Sequence, residues 1–286
     1  MNILVTGSKG QLGNELQVFA PGSGFNFTFT DFDELDLTDF NTLTSFFAKN
    51  SFDFIINCAA YTAVDKAESE ENRAFLLNGE APEKLADIAS KLGAMLIHIS
   101  TDYVFNGRNY KPYNEDDFCD PVSVYGHSKL KGEQAVLDKA TKAIIIRTSW
   151  LYSSFGNNFV KSILKYSKER PSLNVVFDQV GTPTYARDLA KAIIDIIKMN
   201  KFSNSIEIYN YADEGVCSWY DFALEIINIK GIKFPVHPIE TKDYPTSAQR
   251  PHYSVLNKEK IKKHFGIKIP HWKDSLKECL NLIEDF

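Results

Sequence analysis

The 286-residue sequence predicts an α/β fold: a doubly wound parallel sheet with a smaller mixed α/β lobe. Three observations carry this. Five short apolar runs alternate with helical patterns through residue 150, the arrangement in which crossover helices feed parallel strands. The first run ends at a string of glycines that opens a helix. Beyond Trp150 the alternation breaks into polar loops, shorter strands and helices. The expected division is 1–149, with about 183–212 returning to it, and 150–286 as the second lobe.

Residues 2–6, with Ile3-Leu4-Val5 at the centre, read as the first strand, followed by Gly7, Gly10 and Gly13 and a helix marked by Leu12, Leu16 and Phe19. Strand, glycine turn and helix open a dinucleotide-binding unit of Rossmann type: Gly7 permits the turn, Gly10 lets backbone approach a pyrophosphate, and Gly13 lets the helix lie close to the strand. The spacing is GxxGxxG, and its position directly after a strand supplies the context that this weak motif requires. Residues 25–31 alternate Phe with Asn or Thr as a second strand, delivering Asp31 where an acid meets the adenosine ribose. No basic residue lies between Lys9 and Lys49, so NADH is favoured over NADPH, whose 2′-phosphate would face Asp31 or Asp33. Lys9, inside the loop, argues the other way and keeps NADPH open. Asp36 and Leu37 either contact adenine or turn the chain into a helix over 39–48.

The third strand, 53–57, leads into Cys58-Ala59-Ala60-Tyr61-Thr62, small residues against which a cofactor can lie. A long helix is expected over 71–92. The fourth strand, 94–99, delivers Ser100, Thr101 and Asp102 to the carboxyl edge of the sheet, where ligands bind; such hydroxyls also commonly satisfy turns. An irregular segment, 106–121, precedes a helix starting near Ser123. Residues 143–147 form the fifth strand and end at Thr148-Ser149-Trp150. In the second half, helices are expected over 158–169, 187–198, 218–228 and 271–284, with strands at 175–177 and 206–211. Arg250, in Ala-Gln-Arg-Pro, is either a surface arginine or a phosphate clamp with forked geometry.

Tyr125 and Lys129 stand four residues apart on the helix that starts near Ser123, and therefore on one face. A phenol with its ordinary pKa of about 10 is a poor acid, but a neighbouring ammonium stabilises phenolate and brings proton transfer toward neutral pH. Alone, such a pair more often means a packed ring beneath a solvated amine.

A hydrophobic content of 44% allows a large core, and 24% charged residues is ordinary for a globular enzyme. With 32 basic and 37 acidic residues the net charge is −5, which argues against nucleic acid or an anionic membrane as the main partner but admits a small anionic ligand. Cys58, Cys119, Cys217 and Cys279 are too dispersed for a zinc site or a disulfide framework. With no basic leader and no apolar span, a cytoplasmic location is expected.

A glycine loop at the start, a hydroxyl after the fourth strand and Tyr-x-x-x-Lys together resemble the extended short-chain dehydrogenase/reductase superfamily. Within it, five stretches resemble the dTDP-4-dehydrorhamnose reductases: Gly7 to Gly13, Ala59 to Glu68, Ser100 to Phe105, Arg147 to Tyr152, and Gly181-Thr182-Pro183-Thr184, with Arg250-Pro251 beyond them. The resemblance implies reduction of the C4 ketone of a dTDP-linked 4-keto-6-deoxy-L-sugar by NADH or NADPH. It makes Tyr125 the general acid, Lys129 its activator and the holder of the nicotinamide ribose, and Thr101 the group that fixes the carbonyl oxygen. It further implies Gly10, Gln11, Leu12, Asp31, Asp36, Leu37, Ala60, Tyr61 and Thr62 at the cofactor, and Thr101, Asp102, Trp150 and Arg250 at the nucleotide-sugar. Some reductases of this family are dimers bridged by Mg²⁺. Glu15 would be one ligand here, but Arg187-Asp188 stands where a further acid is sought and no full set is found; no metal is expected, and a homodimer stays open.

Two other readings use the same residues. A nucleotide-sugar 4-epimerase or dehydratase would retain its NAD and return the hydride, so cofactor consumption separates it from a reductase. The resemblance also reaches non-catalytic regulatory subunits of methionine adenosyltransferase, against which the intact Thr101, Tyr125 and Lys129 argue.

Overall fold

A computed structural model describes residues 1–202 and 205–283. Six parallel strands form the central sheet: β1 (Asn2–Thr6), β2 (Asn26–Thr30), β3 (Phe54–Asn57), β4 (Met95–Thr101), β5 (Ala143–Thr148) and the strand Ile206–Asn210. From one edge to the other they run Ile206–Asn210, β5, β4, β3, β1, β2. The chain therefore winds outward from β1 in one direction, then returns to lay β3 on the other side. The fork between β1 and β3 opens a crevice at the carboxyl ends of the strands, the place where open sheets hold ligands.

The inner strands β1, β3, β4 and β5 are buried on both faces, and their side chains divide by alternation. Ile3, Val5, Ile56, Ile97, Ile144 and Ile146 pack on one face with Leu12 and Leu16 of α1 (Gln11–Phe19) and Leu189, Ile193 and Ile197 of the helix Ala186–Met199. Leu4, Ile55, Leu96 and Ile145 pack on the other, with Leu43 and Phe47 of α2 (Phe40–Lys49) and with Leu85 and Val136 of the later helices Ala81–Leu92 and Val124–Lys139. Each such side chain, fully buried, contributes about 1.5–3 kcal/mol, so helices on both faces hold the crevice residues at rigid strand ends. A third cluster, including Phe222, Trp272 and Leu276, forms the core of the second lobe. Among the described residues, no helix is long and apolar enough to cross a membrane.

The expected helix over 71–92 is three pieces. After the short α3 (Val64–Ala67), α4 (Glu71–Phe75) passes into a π-helical turn, Leu76–Glu80, and then α5 (Ala81–Leu92). Pro82, at the start of α5, has no N–H to continue an α-helical ladder from upstream. The π turn brings Asn78 against α6 (Val124–Lys139), whose cap is Ser123, its hydroxyl accepting from the Gly126 N–H. The second lobe also contains elements the periodicity did not signal, a helix Glu259–Phe265 and a strand Val236–Ile239 paired with Leu173–Val176. The last helix is Trp272–Leu282, and the expected end at residue 284 lies outside the described residues.

Candidate active site

The crevice is a cavity of about 1020 Å³, ample for a dinucleotide and a second ligand. At one end the glycine loop closes on the sheet. Gly7 has φ +67°, and a Cβ there would lie 2.6 Å from the Ala59 backbone nitrogen; no other residue fits. A Cβ on Gly13 would sit 2.4 Å from the Gly7 carbonyl, so α1 can approach β1 only with glycine there. Gly10 caps α1 without a side-chain hydrogen bond, leaving the first-turn N–H groups available to an anion. This uncapped terminus beside a glycine cradle fits a dinucleotide pyrophosphate.

At the adenosine end, Asp31 accepts from the Lys9 backbone N–H at 2.7 Å, while the Lys9 ammonium binds Asp33 at 2.7 Å and reaches Glu34 at 3.4 Å. The ammonium faces two carboxylates, with Asp31 a third beside them on the Lys9 backbone, which disfavours an added 2′-phosphate. Gln11, Leu12, Asp36, Leu37, Ala60 and Thr62 line the same cavity.

Tyr61 does not. Its phenol donates to Glu70 at 3.0 Å and its ring lies under Arg73, so only its backbone is held at the wall. That backbone is gripped by Asn78, which accepts from the Tyr61 N–H at 2.8 Å and donates to the Tyr61 carbonyl at 3.0 Å and to Ser128 at 3.0 Å. Asn78 thus joins the cofactor side of the crevice to α6, a role that sequence periodicity missed; Asn-Gly inside a helical pattern was the available signal.

Thr101 closes β4, and Tyr125 and Lys129 project from the first turns of α6 into the same cavity. The glycines of α6 are sites of close approach: a Cβ on Gly126 would meet the Tyr103 carbonyl at 2.3 Å, and one on Gly132 the Asn78 carbonyl at 2.1 Å. A buried ion pair fixes the same helix to β5, with Arg147 donating to Glu133 at 2.9 and 2.7 Å.

Burial pushes the Tyr125 phenol above its ordinary range, opposed by a hydrogen bond with Thr101. The Thr101 hydroxyl accepts from the Tyr103 N–H at 3.2 Å and donates to Asp102 at 3.0 Å. Hydroxyl and carboxyl are thus joined at the end of β4, and burial raises the Asp102 carboxyl to about 6. The expected action of Lys129 on the phenol is absent from this geometry. Its ammonium donates to the Ile99 carbonyl at 2.7 Å, and Lys129 is not among the groups that move the Tyr125 pKa. Burial lowers Lys129 itself to about 8. Neighbouring Cys58, whose thiol burial holds up at about 12, is an inert wall residue.

Trp150 follows β5 with φ +46°, a left-handed conformation costing a side-chain-bearing residue about 1–2 kcal/mol, and it lines the cavity. Arg250 does not line it. Its guanidinium donates to Asp65 at 2.6 Å and to the Tyr103 phenol at 3.3 Å, so the expected phosphate clamp is engaged one residue away from the cavity wall. The described residues contain no cluster of three His, Cys, Asp or Glu side chains able to hold a metal.

Three comparisons bear on this arrangement. The sequence family described as the RmlD substrate binding domain matches residues 1–284. The spore coat polysaccharide biosynthesis protein SpsK of Bacillus subtilis (strain 168) is 39% identical, over 97% of this chain and 96% of that protein. Among solved structures, a dTDP-4-dehydrorhamnose reductase of Clostridium acetobutylicum ATCC 824 superposes with a TM-score of 0.95 at 41% identity, covering 100% of both chains. The same enzyme of Bacillus anthracis str. Ames, in complex with NADP, gives 0.93 at 35% identity and 98% coverage of both. Sequence and structure agree from end to end, and the chain belongs to the dTDP-4-dehydrorhamnose reductase family.

Proposed function

We propose that Tyr125 is the general acid as this reductase converts dTDP-4-dehydrorhamnose to dTDP-L-rhamnose. The observation that carries this is that Tyr125, on the first turn of α6, and Thr101, at the carboxyl end of β4, line the same cavity that begins at the glycine loop. NAD(P)H supplies the hydride delivered to C4 of the sugar. As the ketone oxygen gains charge, the Thr101 hydroxyl and the Tyr125 phenol are its donors, and the phenol transfers its proton to it. A phenol held protonated by burial suits an acid. The phenolate left behind is stabilised by the Lys129 ammonium once the ribose hydroxyls draw that side chain from Ile99.

The α1 N-terminus, Gly10 and Gln11 would hold the pyrophosphate, and Asp31 the adenosine ribose. Asp36, Leu37, Ala60 and Thr62 would flank the rest of the dinucleotide, while Tyr61 contributes only backbone. Asp102 and Trp150 would meet the sugar nucleotide; Arg250 would reach its phosphates only by exchanging Asp65 for them. The proposed division of labour assigns 1–149 and about 183–212 to the dinucleotide and the remainder of 150–286 to the substrate. Pairing of Ile206–Asn210 with β5 supports it. The proposal places the enzyme in the cytoplasm, where its free cysteines stay reduced. It includes a homodimer, to be tested by light scattering on the purified chain.

The test is the absorbance of reduced nicotinamide, with substrate made in the cuvette from dTDP-glucose by the two preceding enzymes. Stoichiometric oxidation that depends on the sugar is expected. Absence of oxidation by a folded, cofactor-binding chain would refute the proposal, and turnover without net oxidation would point to an epimerase.

A further inference from the structure

Beside the glycine loop, where Gln11 donates to the Leu151 carbonyl at 3.3 Å and accepts from Asn158 at 2.9 Å, the end of β5 meets the second lobe through two indoles. Trp150 and Trp219 stack with centroids 3.6 Å apart and planes 10° from parallel. Phe159 lies against the far partner, its ring 4.6 Å from that of Trp219 and tilted 52°. All three are partly exposed and line the cavity, so this is a wall and not sealed core.

The surroundings are built to hold the stack. Trp219 is the first residue of the helix Trp219–Ile229, locked by a reciprocal cap in which Ser218 and Asp221 each bond the other's backbone N–H at 3.0 Å. Gly181 faces the Trp150 ring so closely that a Cβ there would lie 2.7 Å from Trp150 Cε2. The Trp150 carbonyl accepts from the Thr184 N–H at 3.2 Å, and the hydroxyl of preceding Ser149 donates to the Thr182 carbonyl at 2.7 Å. A left-handed tryptophan persists only where its neighbours over-determine it, and such residues cluster at ligand sites.

We infer that Trp219 is a positioning residue for the sugar nucleotide: by stacking on Trp150 it fixes the indole against which the substrate packs. The inference rests on Trp150 as a substrate contact. An aromatic stack fixed in advance spares the ligand the cost of ordering it, so Trp219 acts on substrate binding and leaves proton transfer at Tyr125 alone.

The experiment compares Trp150→Ala, Trp219→Ala and Trp219→Phe in the full-length enzyme. Readouts are kcat, KM for dTDP-4-dehydrorhamnose, KM for the nicotinamide, and the exciton couplet that a stacked tryptophan pair gives in circular dichroism. Trp219→Ala is expected to abolish the couplet and raise the sugar-nucleotide KM roughly three- to tenfold, the factor that aromatic-pair energies convert to. The nicotinamide KM should not move, and Trp219→Phe should recover most of the loss. If Trp150→Ala raises the sugar KM and Trp219→Ala does not, Trp219 only packs and the inference fails alone. If neither variant changes it, the placement of substrate at Trp150 fails as well. If the Trp219→Ala chain does not fold, Trp219→Leu takes its place, a bulky apolar side chain with no ring to stack: an unchanged sugar KM in that variant would overturn the proposal, and a selective rise that Trp219→Phe does not share would support it.

Discussion

Replacing Lys129 by Met should stabilise this protein while removing its activity. Lys129 is 2% exposed, and burial holds its ammonium at about 8, against an ordinary 10.5. At 1.36 kcal/mol per pKa unit, keeping that side chain charged at pH 7 costs the folded state about 3 kcal/mol. Methionine fills similar space without charge but leaves the Ile99 carbonyl without its donor, returning about 1 kcal/mol. The net expectation is a gain of about 2 kcal/mol.

The sign follows from the folded pKa lying below the unfolded one. Between about 8 and 10.5 the unfolded chain binds more protons, so wild-type stability rises with pH in that window. Below it the penalty is fully present. Urea unfolding of both proteins across this range is the assay: the advantage of Lys129→Met should be full at neutral pH and shrink as pH climbs through the window. A variant less stable than wild type at pH 7, or an advantage indifferent to pH, would refute the reasoning.

Other outcomes follow from the same geometry. In wild-type turnover, kcat/KM should fall above a pH of about 8, where Lys129 loses its proton. Tyr125→Phe should fold and bind nicotinamide normally by calorimetric titration yet lose roughly 10²–10⁴-fold in kcat, the span of a positioned acid. NADH should serve at least as well as NADPH. Removing a carboxylate that competes for the Lys9 ammonium, in Asp33→Asn, should shift the ratio of the two kcat/KM values toward NADPH on the order of tenfold; a strong wild-type NADPH preference would overturn this charge argument. Gly132→Ala, whose methyl meets the Asn78 carbonyl at 2.1 Å, should cost about 1–3 kcal/mol in urea unfolding and raise the KM for nicotinamide.

The first half of the chain was legible because its inner strands are buried on both faces and read as plain apolar runs, while the edge strand β2 alternates as a half-exposed strand does. The limits of β1 agree with the expected 2–6, and β2, β3 and β5 fall within a residue at each end. Positions held by local rules were equally clear: the turn at Gly7, which has a positive φ, and the helix starts near Ser123 and at 158, where the structure has these two residues as caps. Contacts between distant segments were not. Nothing local to Arg250 reveals that Asp65 neutralises it, nor does anything beside Lys129 show that it reaches the Ile99 carbonyl and not the phenol four residues away. The small strands and the Glu259–Phe265 helix of the second lobe exist through tertiary pairing, and their sequences carry little periodicity. Trp219 was invisible for the same reason, since its significance comes from Trp150.

The π turn at Leu76–Glu80 stores one extra residue in the long helical segment. An α-helix turns about 100° per residue and the wider π turn about 80°, so deleting one residue here would restore regular winding with α4 and α5 nearly in phase, and only the bulge would be lost. Asn78 would swing off α6, releasing the Tyr61 backbone and the Ser128 hydroxyl together. Side chains on this segment can vary, but its length is a gauge block between the dinucleotide crevice and the catalytic helix. A single-residue deletion at the turn should therefore leave a folded chain with a raised KM for nicotinamide, since it takes Asn78 from both walls of the site.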